Sequence, residues 1–210
     1  MSPPHEFAVS DSETLHVGRI LAVRLDQVVM PGGGVARREI VEHPGAVAIL
    51  PLHDDATVVM IDQYRYAVGR RLRELPAGLL DTAGEDPVST ARRELVEEVG
   101  CTAQDWSVLV DVVSSPGFSD EAVRVFLARG LVEVGRPAGG DDEEADLSVV
   151  RLPLADAVRQ VLAGEIVNAS TVAGLLAAQA VLAGTARPRS VDAPWPDRPT
   201  RFADRQGAPK

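Results

Sequence analysis

The sequence predicts an α+β fold, and three observations carry that reading. Short strand-like runs separated by turn residues fill most of the first 130 positions. Two later segments are apolar at helical spacing, and one acidic, well-capped helical stretch sits among the strands. At 210 residues the chain is expected to form one domain with a sizeable core. We divide it into an N-terminal antiparallel β arm over residues 1–45, expected to exchange between the subunits of a homodimer, a main domain over 46–185 and an extended tail over 186–210.

The elements follow in order. Residues 14–29 alternate well enough for strands, and Pro31-Gly32-Gly33-Gly34 reads as a hairpin turn. The triple glycine lacks the strand-to-helix context of a phosphate cradle, so a turn is the better reading. Residues 37–42 form the next strand. Val47-Ala48-Ile49-Leu50 and Val58-Val59-Met60-Ile61 are apolar runs split by His53-Asp54-Asp55, which predicts a second hairpin. Residues 106–113 and 122–128 again read as strands, and 154–162 and 171–182 as helices, the second rich in alanine and expected to be buried. From Ala186 onward, repeated Pro, Arg and Asp predict an extended or partly disordered segment.

The acidic helix is the most informative stretch. Asp86 suits the N-cap, and Pro87 suits the first helical position, where its missing N–H costs nothing. Residues 93–100 then place Glu94, Glu97 and Glu98 in little more than one turn. Helical residues three and four apart share a face, so these carboxylates are expected on one side, repelling one another. A bound divalent cation is the simplest counterweight, although a short acidic run taken alone also reads as a solvated face. Arg93 is spaced to pair with Glu97, and Val88, Ala91, Leu95 and Val99 form an apolar stripe suited to a sheet.

Composition narrows the partners. A formal charge of −10 argues against nucleic acid, whose phosphates need a basic surface. It permits a small phosphorylated substrate, because divalent metals can bridge acidic protein and anionic ligand. The single cysteine, Cys101, allows no internal disulfide, fits a reducing compartment and reads as a small buried apolar residue. No apolar run approaches the roughly 20 residues that span a bilayer. Residues 1–6 lack the basic and apolar regions of a signal peptide, so a cytoplasmic location and no membrane partner are expected.

The run from Glu74 through Cys101 resembles the signature of the Nudix hydrolases. Gly78, Glu85, Arg93, Glu94, Leu95, Glu97, Glu98, Gly100 and Cys101 fill its positions in order. There are two departures: the loop from Gly78 to Glu85 is one residue longer than usual, and the terminal apolar position is Cys101. The resemblance implies a mixed sheet sandwiched between helices. Further likeness to bacterial ADP-ribose-cleaving members, those of actinobacteria especially, runs from about Glu13 to Phe202. By that likeness Arg65, in Gln63-Tyr64-Arg65, contacts substrate phosphate. By the same likeness Glu121, in the segment after Pro116, would hydrogen-bond the terminal ribose. Arg37-Arg38-Glu39 matches a segment that reaches the partner's active site in related homodimers. Arg38 is the candidate contact and Arg37 its close competitor.

The chemistry implied is metal-dependent cleavage of a diphosphate. Mg²⁺ or Mn²⁺ favours oxygen ligands, and Glu94 and Glu98 are expected to hold two or more ions. Glu97 would complete the shell directly or through water, and the resemblance adds the Ala77 carbonyl. The acidic loop Asp141-Asp142-Glu143-Glu144-Ala145-Asp146 follows two glycines and resembles the mobile loop that supplies the general base. Glu144 is our choice, with Glu143 as competitor. The expected substrate is ADP-ribose. Another nucleoside diphosphate sugar such as GDP-mannose, or NADH, is the alternative, and a non-catalytic nucleotide-sensing module is the different class.

Overall fold

The structure is a computed structural model and describes residues 7–137 and 146–207. Its N-terminal arm is a three-stranded antiparallel sheet of β1 (Val9–Val17), β2 (Ala22–Val29) and β3 (Val35–Glu42), in that order. The glycine-rich turn closes β2 onto β3, with the Met30 N–H donating to the Gly34 carbonyl at 2.7 Å. Every residue of β1 is exposed, whereas β2 buries Ala22, Arg24 and Asp26 at alternate positions. Alternation marks one covered face, and here that face carries an ion pair, Arg24 to Asp26 at 2.8 Å.

The main domain holds two sheets. The larger one runs β11-β8-β9-β4-β7, built from β4 (Ala46–Pro51), β7 (Ala77–Leu79), β8 (Cys101–Val113), β9 (Ala122–Glu133) and β11 (Arg189–Ser190). The other runs β10-β5-β6, from β5 (Thr57–Arg65), β6 (Arg70–Glu74) and β10 (Ser148–Pro153). Among the described strands only β4 and β9 form a parallel ladder, so the sheet is mixed. Successive side chains of β4 enter opposite core layers. Val47 and Ile49 pack with Ala91, Leu95 and Val99 of the acidic helix. Ala48 and Leu50 pack with Leu154 and Ala157 of α2 (Leu154–Leu162) and Leu175 and Ala178 of α3 (Ala169–Leu182). Helices therefore cover both faces, as expected. Cys101 is fully buried. Among the described residues, no helix is long and apolar enough to cross a membrane.

Two local expectations need correction. The turn at His53-Asp54-Asp55 is present, with the His53 N–H donating to the Thr57 carbonyl at 2.9 Å and one antiparallel bridge between Leu52 and Val58, but beyond it the apolar runs of β4 and β5 do not pair and belong to different sheets. Both strands are apolar on both faces, the pattern of central strands. β4 takes β9 and β7 as its neighbours, leaving no edge for β5. The tail, read from composition as extended, is packed instead. Arg189 and Ser190 pair with β8, α4 (Arg201–Gly207) follows, and Phe202 is buried. Arg124 holds it, stacking on Trp195 at 4.8 Å and donating to the Ala193 and Pro194 carbonyls.

Candidate active site

The site is built where the acidic helix lies against β7. Helix α1 (Pro87–Glu94) starts as expected: the Asp86 side chain accepts the Ser89 N–H at 2.9 Å and Pro87 follows it. The plain α-helical reading fails after Glu94, because Leu95–Val99 form a π-helical turn ended by Gly100 in the left-handed conformation. Single π turns inside helices cluster at functional sites. Here the turn carries Glu97 and Glu98, directly after Glu94. Glu94 lies against Gly78, and the Glu98 carboxylate accepts the Ala77 N–H at 2.9 Å. Glu97 shares Arg93 with Glu94, at 2.8 Å.

Gly78 is required by contact rather than by torsion. A β-carbon there would overlap the Glu94 side chain, so glycine is what lets that carboxylate lie against the strand. Gly100 combines both demands: its φ is +74°, and a β-carbon would press on the backbone of Gly135 and Arg136.

Arg93 is the electrostatic centre. Its guanidinium reaches Glu94 at 2.7 Å, Glu97 at 2.8 Å and Glu85 at 3.3 Å. Partial burial works against its charge, but the surrounding carboxylates outweigh that and raise its pKa. In return, hydrogen bonds from Arg93 and Thr90 hold the Glu85 carboxyl below its ordinary range. One cation thus fixes three acids that would otherwise repel.

The donor set fits a hard cation. Among the described residues, no three acidic, His or Cys side chains form a ready-made cage. Mg²⁺ rarely uses one; it takes one or two carboxylates and fills its octahedron with waters and substrate phosphates. Glu94 and Glu98 supply two such carboxylates beside the Ala77–Gly78 backbone.

The other expected residues are placed as follows. Arg65 ends β5 and is clamped on Glu74, with Nη2 to Oε2 at 2.6 Å and Nε at 3.1 Å. Its side chain is 42% exposed while that of Glu74 is 2% exposed, so the pair has one buried and one part-exposed member. Glu121 closes the loop before β9; its N–H donates to Ser119 Oγ at 3.1 Å. Arg38 is exposed on β3 and donates to the Arg37 carbonyl at 3.1 Å. Glu144 and Glu143 lie outside the described residues.

Comparison with known proteins decides the family. The NUDIX domain matches residues 42–173, more than half of the chain. The chain belongs to the Nudix family. It is 58% identical to the ADP-ribose pyrophosphatase of Mycobacterium tuberculosis over 96% of this chain and 97% of that one. It is 38% identical to the ADP-ribose pyrophosphatase of Bacillus subtilis, over 76% of this chain and 85% of that one. Among solved structures it is similar to an ADP compounds hydrolase, with a TM-score of 0.73 and 26% identity. That likeness covers 89% of this chain and 100% of that one.

This chain is therefore a Nudix hydrolase with the family's fold and acidic helix. Two carboxylates escaped the sequence reading. Glu74, almost fully buried, anchors Arg65; its signal was a charge in phase with the inward Leu72 of β6. Glu42, also buried, takes Arg24 from the arm and Arg205 from α4. No local pattern pointed to that second pairing, because its partners are 18 and 163 residues away.

Proposed function

We propose that this Nudix hydrolase splits ADP-ribose into AMP and ribose 5-phosphate, using Mg²⁺ or Mn²⁺ with two or more ions per site. The observation that carries the reading is 58% identity, over nearly the whole chain, to a protein of that activity. When bound, the metal supplies charge neutralisation at the diphosphate and a lowered pKa for the attacking water. Glu94 and Glu98 hold it, with the Ala77 carbonyl and, directly or through water, Glu97. Arg65, kept in place by Glu74, contacts a phosphate oxygen. Glu121 accepts a ribose hydroxyl. Glu144 takes the proton of the attacking water, for which it must come within about 2.6–3.2 Å or act through one further water. Water adds to phosphorus as the diphosphate P–O bond breaks, and the leaving phosphate carries away the electron pair.

The working unit in this reading is a cytoplasmic homodimer. Phe7, Val9, Leu15, Val17 and Val35 expose apolar side chains on the arm, and such surface favours a partner. An arm that extends to a second copy gives a C₂ dimer at low cost and brings Arg38 to the partner's site. The lone buried cysteine suits a reducing compartment.

The test is phosphate release, coupled to a phosphatase, across ADP-ribose, GDP-mannose and NADH with Mg²⁺ or Mn²⁺. Preferred turnover of ADP-ribose supports the reading. Preference for another compound replaces the substrate, and binding without turnover of any of them replaces the enzyme with a sensor.

A further inference from the structure

The arm joins the main domain through His43-Pro44-Gly45, and this junction is fastened to the loop that carries Glu121. The Val41 N–H donates to the Phe118 carbonyl at 2.7 Å, and the Asp120 N–H returns to the Val41 carbonyl at 3.2 Å. The His43 N–H donates to the Asp120 carboxylate at 2.9 Å. On the other side, the Gly45 carbonyl accepts the Leu80 N–H at 3.0 Å, at the end of the strand that faces Glu94 and Glu98. One short segment thus couples arm, Glu121 loop and metal-facing strand.

The His43 side chain closes that segment. Its Nδ1 accepts the Gly45 N–H at 3.1 Å. A ring nitrogen that accepts carries no proton, so the ring is the neutral form protonated at Nε2. Gly45 has a φ of +84°, and the Pro199 ring of the tail and the Ala122 carbonyl occupy the space that a β-carbon there would need. Protonating Nδ1 would set two N–H donors against each other and break this hydrogen bond. The charged groups facing the imidazole are Glu121 and Asp120, both from the loop before β9. Burial works against the imidazolium more strongly than these acids favour it, so His43 titrates below its ordinary 6.5. An imidazolium would also draw Glu121 toward itself.

We propose that His43 is a positioning residue for substrate binding: its neutral ring locks the junction through Gly45 and keeps the Glu121 carboxylate available to the ribose. The proposal rests on the reading of Glu121 as a ribose ligand and deepens it. Acidification through the His43 pKa converts the site to a form that binds substrate poorly. KM for ADP-ribose then rises, approaching about tenfold per pH unit below that pKa, while kcat changes little.

The experiment uses full-length protein and three variants. His43→Asn places an amide oxygen where Nδ1 lies and cannot titrate; His43→Ala removes the acceptor; Glu121→Gln removes the facing charge. The expected result is a rise of KM at low pH in wild type that His43→Asn abolishes. His43→Ala should raise KM at every pH, and the asparagine should restore most of that loss. Amide exchange gives a readout without substrate. Protection at Gly45 should fall in wild type below the His43 pKa, fall at all pH in His43→Ala, and hold in His43→Asn. NMR titration of the His43 ring should give a pKa below 6.5 in wild type, and a lower one in Glu121→Gln. An unchanged acid rise of KM in His43→Asn overturns the proposal, and so does Gly45 protection that ignores His43→Ala. Failure of the ADP-ribose reading would appear separately, as absence of turnover in wild type at pH 8 with the exchange pattern intact.

Discussion

Gly78 and Glu94 touch so closely that a β-carbon at position 78 would overlap the Glu94 side chain. The contact fixes where the helix sits relative to β7, and so where Glu94 presents its oxygens. Gly78→Ala should push the carboxylate aside at a stability cost of about 1–3 kcal/mol, typical of overpacking. Activity should suffer far more, by about 100-fold, because a displacement near 1 Å disrupts a reacting geometry. Thermal melting and turnover at saturating Mg²⁺ check this together. A variant that keeps near-normal turnover would remove the contact from the catalytic geometry.

Glu98→Gln separates ligand from scaffold. The amide oxygen can still accept the Ala77 N–H, so the π turn should persist. The neutral group grips a hard cation poorly, and turnover should drop by more than the roughly 10–100-fold typical of losing an outer-shell partner. Glu97→Gln should be milder, since Glu97 is turned toward Arg93. Activity at graded Mg²⁺ distinguishes the two, and equal losses would place Glu97 in the shell directly.

Acid sensitivity should trace to the Glu42 hub. Burial pushes the Glu42 carboxyl up, but hydrogen bonds from Arg205 and Arg24 outweigh it and hold the pKa below the ordinary 4.5. A carboxylate depressed in the folded state contributes stability above its unfolded pKa and loses it as pH falls through the folded value. Wild type should therefore lose Tm steeply below about pH 4.5, and Glu42→Gln should show a flatter slope from a lower plateau. At neutral pH the variant should be less stable by up to about 3–5 kcal/mol, because the buried Arg24 keeps only Asp26. Melting curves at several pH values test both parts, and parallel slopes would exonerate Glu42.

What could be read in advance was what is encoded locally. The Asp86 cap, the Pro87 start, the Ala91-Leu95-Val99 stripe and the Arg93–Glu97 pair depend on residues within a few positions of one another. The π turn at Leu95–Val99 was hidden, because helical spacing looks the same until β7 sets the approach. The separation of β4 from β5 was hidden too, since an apolar run says that a strand is buried and not which neighbour it takes. The ordered tail depends on Arg124 meeting Trp195 across 71 positions of chain, a pairing no window can contain.

The identity of the general base is open to direct test. Glu144→Gln should cut kcat strongly with little change in KM or metal affinity, the signature of a group acting in the transition state. Steady-state kinetics on Glu144→Gln and Glu143→Gln in parallel locate it. A crippled Glu143→Gln with an active Glu144→Gln moves the assignment by one residue, and two active variants send the search back to the acidic helix.

The dimer prediction follows from how the arm is held. Glu42, at the end of β3, is bound by Arg205 of the same chain's α4, and Arg205 also reaches Thr14 of β1 at 2.8 Å. These ties keep the arm's base on its own subunit while its exposed apolar strands and Arg38 extend outward. An arm built this way can complete a neighbour's site without leaving home. Mixing an Arg38→Ala subunit with a Glu98→Gln subunit tests it, since each alone should be nearly inactive. After exchange, every heterodimer combines one intact carboxylate set with the intact arm of its partner. Half the dimers then carry one working site of two, and activity should recover to about a quarter of wild type. No recovery after exchange, verified by mass-tagged subunits, would confine each site to one chain. Sedimentation that finds a fully active monomer at assay concentration would end the composite-site reading altogether.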